Sequence, residues 1–278
     1  MSLRTPILIT SMMLTLGVTA CQTSATRNER LAYVERPVER IYNLALAELD
    51  KGDYADSVAL FNEVERQHPY SEWARRSALM SAFASYQARD YDQSIATAQR
   101  FISLNPAADD AAYAYYLIAV SYFDQIVDVG RDQNTTELSK AALTDVARRF
   151  PDSDYARDAN LKLDMVQDQL AGKEMEIGRW YLRRNQHLAA VNRFKTVVKD
   201  YETTGHAAEA LHRLVETYLS LGLRQDALAA GAVLGYNYPD SDWYQMSYRL
   251  LSGEGMDPNL VDEAQKRTWL QRLIPGGR

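Results

Sequence analysis

Residues 38–69 read VERIYNLALAELDKGDYADSVALFNEVERQHP, and this stretch decides the fold. Apolar residues recur at helical spacing on both sides of a Gly-Asp-Tyr turn. Ile41, Leu44, Ala45 and Leu49 form one stripe; Val58, Phe61 and Val64 form the other. Neither half buries its stripe alone, so the two are expected to fold on each other and on a neighbour. Gly52 suits the left-handed residue that ends a helix. Asp53 is placed to cap the second helix. Pro69 stops it, because proline has no amide hydrogen and restrains the residue before it.

The pattern recurs. Ser57, Ser94, Ser139, Ala190 and Ala227 hold one small-residue position, and Pro69, Pro106, Pro151, Glu202 and Pro239 hold one stop position. Both series advance by 37, 45, 51 and 37 residues, so the chain contains five copies of one unit, two of them with insertions. The longer insertion, near residues 155–173, has no proline and adds about four helical turns. It keeps the apolar face in phase and predicts one long helix opening the fourth unit. The shorter insertion, around residues 127–134 with Gly130, predicts a loop.

The period, the Gly-Asp-Tyr turn and the closing proline resemble the tetratricopeptide repeat. Gly178, Tyr181, Ala190 and Phe194 carry its pattern in the fourth unit. Leu211, Leu214, Tyr218 and Ala227 carry it in the fifth, where Gly231 replaces a large residue. The resemblance implies an all-α, right-handed α-solenoid of five helix pairs. It implies no chemistry, because such solenoids are binding scaffolds.

Composition narrows the function. The net charge of −6 argues against a nucleic-acid binder, and the single cysteine excludes an internal disulfide. The body of the chain has no apolar run long enough to span a membrane. It also has no glycine-rich phosphate loop and no Gly-x-Ser-x-Gly elbow. His206 and His212 flank Glu209, but they stand six residues apart rather than the four that place two imidazoles on one metal. No metal, cofactor or catalytic residue is expected, and the chain reads as a non-enzyme.

Residues 1–20 read as a signal peptide: Arg4, an apolar stretch too short to span, then small residues before Cys21. Val18-Thr19-Ala20-Cys21 resembles a bacterial lipobox, which implies diacylation of Cys21 as the mature N-terminus. Several acyl chains anchor firmly, at about 0.8 kcal/mol per buried methylene. Gln22 stands where an aspartate would signal inner-membrane retention, which favours the outer membrane. Residues 21–36 are polar and aperiodic and read as a flexible tether, spanning at most roughly 50 Å.

The junctions between units share a second signal. Residues 69–73, 151–155 and 239–243 each carry proline, serine, an acidic residue and an aromatic at matching places. The serine is placed to cap the next helix, and the acid suits its first turn.

The lipobox, the tether, five such repeats and the loop in the third are the layout of the BamD family, also called ComL. That family is the lipoprotein component of the outer-membrane β-barrel assembly machine. Residues 100–106 (RFISLNP), 149–155 (RFPDSDY) and 190–193 (AVNR) look like its corresponding segments. The resemblance covers about residues 21–251 and departs at Glu202 and in the tail from Ser252. It implies a periplasm-facing, lipid-anchored scaffold that binds BamA through its C-terminal repeats and unfolded β-barrel proteins through its N-terminal ones, alongside other assembly-machine subunits. A repeat lipoprotein of another envelope system, such as a secretin pilot or a cell-wall synthesis regulator, is the competing expectation.

Domain boundaries follow. The repeats occupy residues 37–251, in units of about 38–69, 70–106, 107–151, 152–202 and 203–239, and residues 252–278 form a tail. In such repeats the first helix of each unit lines the concave surface. The stripe beside the packing stripe holds Tyr42, Leu46 and Leu49, then Leu79, Phe83 and Tyr86, then Tyr113, Tyr116, Val120 and Phe123. It continues as Met175, Arg179, Leu182 and Arg183, then His212, Glu216 and Leu219. Tyr42, Leu46, Phe83, Tyr86, Tyr113, Tyr116 and Phe123 are therefore expected to receive an extended substrate peptide, with Arg76 meeting its terminal carboxylate. Arg193 is expected to face BamA, by the resemblance of its segment. Residues 259–274 carry an amphipathic pattern between Pro258 and Pro275 and are expected to cap the last repeat.

Overall fold

The computed structural model describes residues 36–261 and 263–273. The expected signal peptide, Cys21 and the expected tether up to residue 35 lie outside the described residues. Among the described residues the fold has twelve α-helices, one short 3-10 turn and no strand. In chain order the first ten fall into five pairs: α1 (Val38–Lys51) and α2 (Tyr54–Gln67), α3 (Glu72–Gln87) and α4 (Tyr91–Leu104), α5 (Ala111–Phe123) and α6 (Asn134–Arg149), α7 (Asp154–Arg183) and α8 (His187–Asp200), α9 (Ala207–Ser220) and α10 (Arg224–Asn237). Then come α11 (Asp242–Gly253), the 3-10 turn (Pro258–Leu260) and α12 (Glu263–Leu273). α7 is the expected long helix, at 30 residues. Contacts divide the chain into two compact units, Met1–Ser121 and Tyr122–Arg278.

In the first unit α1 packs on α2, α2 on α3 and α3 on α4. Gly52 ends α1 at φ 84°, as its sequence position predicts. Asp53 stands at the N-cap of α2 but makes no side-chain cap bond, so that expectation fails. Ile41, Ala45, Phe61 and Val64 are fully buried, whereas Leu44 turns outward. In the second unit α7 packs against both α6 and α8, and α9 against α8, α10 and α11.

The small-residue position has a steric cause. Ser57, Ser94, Ser139, Ala190 and Ala227 are all completely buried. Ser57 Oγ donates to the Ala45 carbonyl at 2.9 Å, tying the two helices of the first pair. In the fourth pair a Cβ on Gly178 would stand 2.4 Å from the Phe194 ring, so only glycine admits that ring.

Every stop position is built on one backbone turn. The C-caps His68, Asn105, Phe150, Tyr201 and Tyr238 have φ between −137° and −129° and ψ between 36° and 58°. The amide three residues on returns to each C-cap carbonyl at 3.0–3.2 Å. Ser71, Ser153 and Ser241 cap the next helix, each accepting an amide at 3.1 Å. Their hydroxyls also donate back to the C-cap carbonyl at 2.7–2.9 Å. At the fourth junction, where Glu202 replaces proline, Thr204 makes that same back-bond to Tyr201 at 2.8 Å.

Gly231 marks a place where a side chain arrives from elsewhere. A Cβ there would stand 2.4 Å from Leu251 Cδ1, and Leu251 is fully buried. α11 thus supplies the bulk that the repeat pattern places on α10. The tail covers α10 further, since the 3-10 turn and α12 both pack on it and Trp269 is buried. The expected single helix over residues 259–274 is instead broken. Pro258 opens a 3-10 turn, Asp257 caps Asn259, and α12 begins at Glu263.

Candidate binding surfaces

Helical spacing gives α1, α3 and α5 of the first unit an aromatic face, and the rings are half-buried. The Tyr42 ring meets Trp73 edge-on at 4.9 Å and Phe61 at 5.5 Å. Burial pushes the Tyr42 phenol up, and the nearby Arg76 guanidinium opposes that rise. Arg76 is exposed and stands 5.9 Å from the centre of the Trp73 ring. Tyr42, Arg75, Arg76, Met80, Asp109 and Asp110 line a cavity of about 430 Å³. A carboxylate entering it would meet two guanidiniums in competition with two aspartates.

Phe83 and Tyr113 meet at 6.4 Å, tying α3 to α5. Tyr86 instead faces Tyr91 of its own helix pair at 6.0 Å. Leu46 and Tyr116 are half-buried. Phe123 belongs to the second unit, where the Lys162 ammonium lies 5.4 Å from its ring. So Tyr42 joins Arg76, and Phe83 joins Tyr113, while Leu46, Tyr86 and Tyr116 share the first unit's face by helical register alone. Sequence reasoning missed Trp73, which it read as a junction residue, and the two aspartates.

The second unit corrects the outer stripe. Met175 is fully buried, because α7 is covered by α6 and α8. His212 is buried under α11, with its Nδ1 2.8 Å from Ser247 Oγ and its ring 5.2 Å from Trp243. A chain of polar contacts and ion pairs runs from there. His212 Nε2 lies 3.5 Å from Glu216, which accepts from Arg213 at 2.8 Å. Arg213 reaches Glu209 at 3.3 Å, and Glu209 also accepts from Arg179 at 3.0 Å. Arg193 of α8 pairs within the chain, reaching Glu174 at 3.1 Å, and keeps 41% of its side chain exposed.

These elements define a class: a helical-repeat protein of the tetratricopeptide kind, with partly exposed aromatic and charged faces. The family described as outer membrane lipoprotein, YfiO, matches residues 34–234. The chain belongs to that family. It is 50% identical over 98% of its length to the outer membrane protein assembly factor BamD of Caulobacter vibrioides, covering 89% of that protein. It is 44% identical over 83% of its length to the Rickettsia prowazekii BamD, covering 90%. A Neisseria meningitidis serogroup A BamD is 31% identical over 81%, covering 89%. The Caulobacter match extends into the tail, beyond the expected limit at Leu251.

Proposed function

We propose that this chain is an outer membrane protein assembly factor, acting as a non-enzymatic scaffold anchored through an acylated Cys21 and facing the periplasm. The observation that carries the reading is the half-identity, over nearly the whole chain, to the Caulobacter assembly factor. Depleting the protein in its own cells should lower the amount of folded β-barrel proteins in the outer membrane while other lipoproteins persist. Unchanged barrel levels after depletion would sink it.

Two surfaces carry the finer reading. The first unit's face with Tyr42, Leu46, Phe83, Tyr86, Tyr113 and Tyr116 receives the apolar residues of an unfolded barrel strand, and Arg76 receives its carboxylate. Half-buried rings support this, since each is held by its neighbours and still presents part of its surface to solvent. Phe83→Ala and Tyr116→Ala should each weaken binding of a barrel-terminal peptide by about 2 kcal/mol, with a small change in melting temperature. A loss of roughly 3–5 kcal/mol in stability, with peptide affinity unchanged, would mark the rings as core alone.

Arg193 is the proposed contact to BamA. Its pairing with Glu174 is half-exposed and contributes about 1 kcal/mol or less, so Arg193→Leu should leave the melt nearly unmoved. Capture of BamA should fall; full capture in high salt would remove Arg193 from the interface.

A further inference from the structure

The chain enters the repeats at a fixed point. The Arg36 amide donates to Gln67 Oε1 at 3.3 Å, and the Arg36 carbonyl faces His68 Nε2 at 3.1 Å. Gln67 ends α2 and His68 is its C-cap, so the tether leaves the folded unit at the junction of α2 with α3. The next junction, after α4, shares that edge. Tyr70 from the first and Leu104 from the second line one cavity of about 550 Å³. Tyr70 is 101% exposed and Leu104 68%. The charged groups around them are Glu65, Glu72, Arg75 and Arg100, two of each sign. Arg100 forks onto Glu65. Glu72 sits in the first turn of α3, where the helix dipole favours an anion.

We infer that this edge of the first unit rests on the phospholipid headgroup surface. The inference builds on the reading of Cys21 as acylated. Residues 22–35 separate Cys21 from Arg36, a span of at most roughly 50 Å. The edge that carries Arg36 is the part of the first unit with the shortest covalent path to the bilayer. Linkage raises its effective concentration there, so a weak surface becomes occupied. A tyrosine with an apolar body and a polar tip suits the headgroup level, and Leu104 beside it adds apolar area. Balanced charge matches a zwitterionic headgroup. The contact is accordingly indifferent to salt, unlike that of a polybasic patch.

Cys21 is the only cysteine, so once it is acylated an introduced cysteine is the only free thiol. Full-length protein from membranes, carrying Ser103→Cys or Ala88→Cys, would be labelled with a nitroxide and placed in phosphatidylcholine–phosphatidylethanolamine vesicles. Ala88 ends α3 at the far edge, about 24 Å along the helix. The label at 103 should show a several-fold higher ratio of oxygen to nickel accessibility than the label at 88, at low and high salt alike. Adding Tyr70→Ser and Leu104→Ser should erase the difference without lowering the melting temperature. Equal ratios on an acylated chain overturn the contact and leave the anchor standing. A free Cys21 thiol in the mass spectrum overturns the anchor and the contact with it. Protection at 103 that appears only when other envelope proteins are added overturns the lipid contact in favour of protein docking.

Discussion

Leu251→Ala should lower stability by about 2–5 kcal/mol in denaturant unfolding, among the largest losses of any single truncation in the second unit. Leu251 is fully buried and fills the space over Gly231. Gly231→Leu restores the large residue that the repeat pattern calls for, yet it should also destabilise, by roughly 1–3 kcal/mol, because that space is occupied. Combined, the two changes should cost less than their sum by about 1 kcal/mol or more, since each makes room for the other. Strict additivity would show that Leu251 does not stand in for the missing side chain.

Glu209→Leu is the second large effect. It leaves Arg179 and Arg213 without their shared carboxylate at once. Removing one member of a buried ionic group costs about 3–5 kcal/mol. These guanidiniums are 26–35% exposed, so water offsets part of the loss, and roughly 2 kcal/mol is expected. The same chain of contacts makes the fold acid-sensitive. The hydrogen bond from His212, and then Arg213, hold the Glu216 carboxyl below its ordinary value against the effect of burial. The folded protein therefore releases this proton more readily than the unfolded chain does. The resulting stability is complete above the ordinary carboxylate value and is lost as pH falls through the lowered one. Glu216→Gln should be less stable at neutral pH and lose less on acidification; an unchanged acid limb would assign the sensitivity elsewhere.

The repeat was legible because it is written in sterics. Small residues stand where helices touch, and prolines stand where they stop, so spacing alone gave five pairs, the long α7 and the loop before α6. What escaped depends on which neighbour arrives. Counting along α7 put Met175 on the outer stripe, but the long helix is covered on two sides. His212 looked exposed until α11 lay over it. Trp269, buried in the tail, carried no repeat register to mark it. Thr204 escaped because the junction signal was read from proline, whereas four of the five turns also carry a hydroxyl that bonds back to the C-cap carbonyl. The aromatic face was found by register, but Asp109 and Asp110 lie in a connection between helices, where no periodicity points at anything.

The junction that lacks proline has a consequence for the denatured chain. Tyr201 takes nearly the same turn as its four counterparts, held by Thr204 and by the Tyr238 hydroxyl, which donates to the Glu202 carbonyl at 3.0 Å. The other four junctions enter folding with one torsion already restricted by the pyrrolidine ring. This one starts with full backbone freedom and surrenders it only when α10 is near enough for Tyr238 to reach back. That difference amounts to about 0.4–1 kcal/mol. In an array whose stability is a sum of local terms, that cost falls on residues 201–204 and on the pairing of α8 with α9, and not on the four junctions that carry proline.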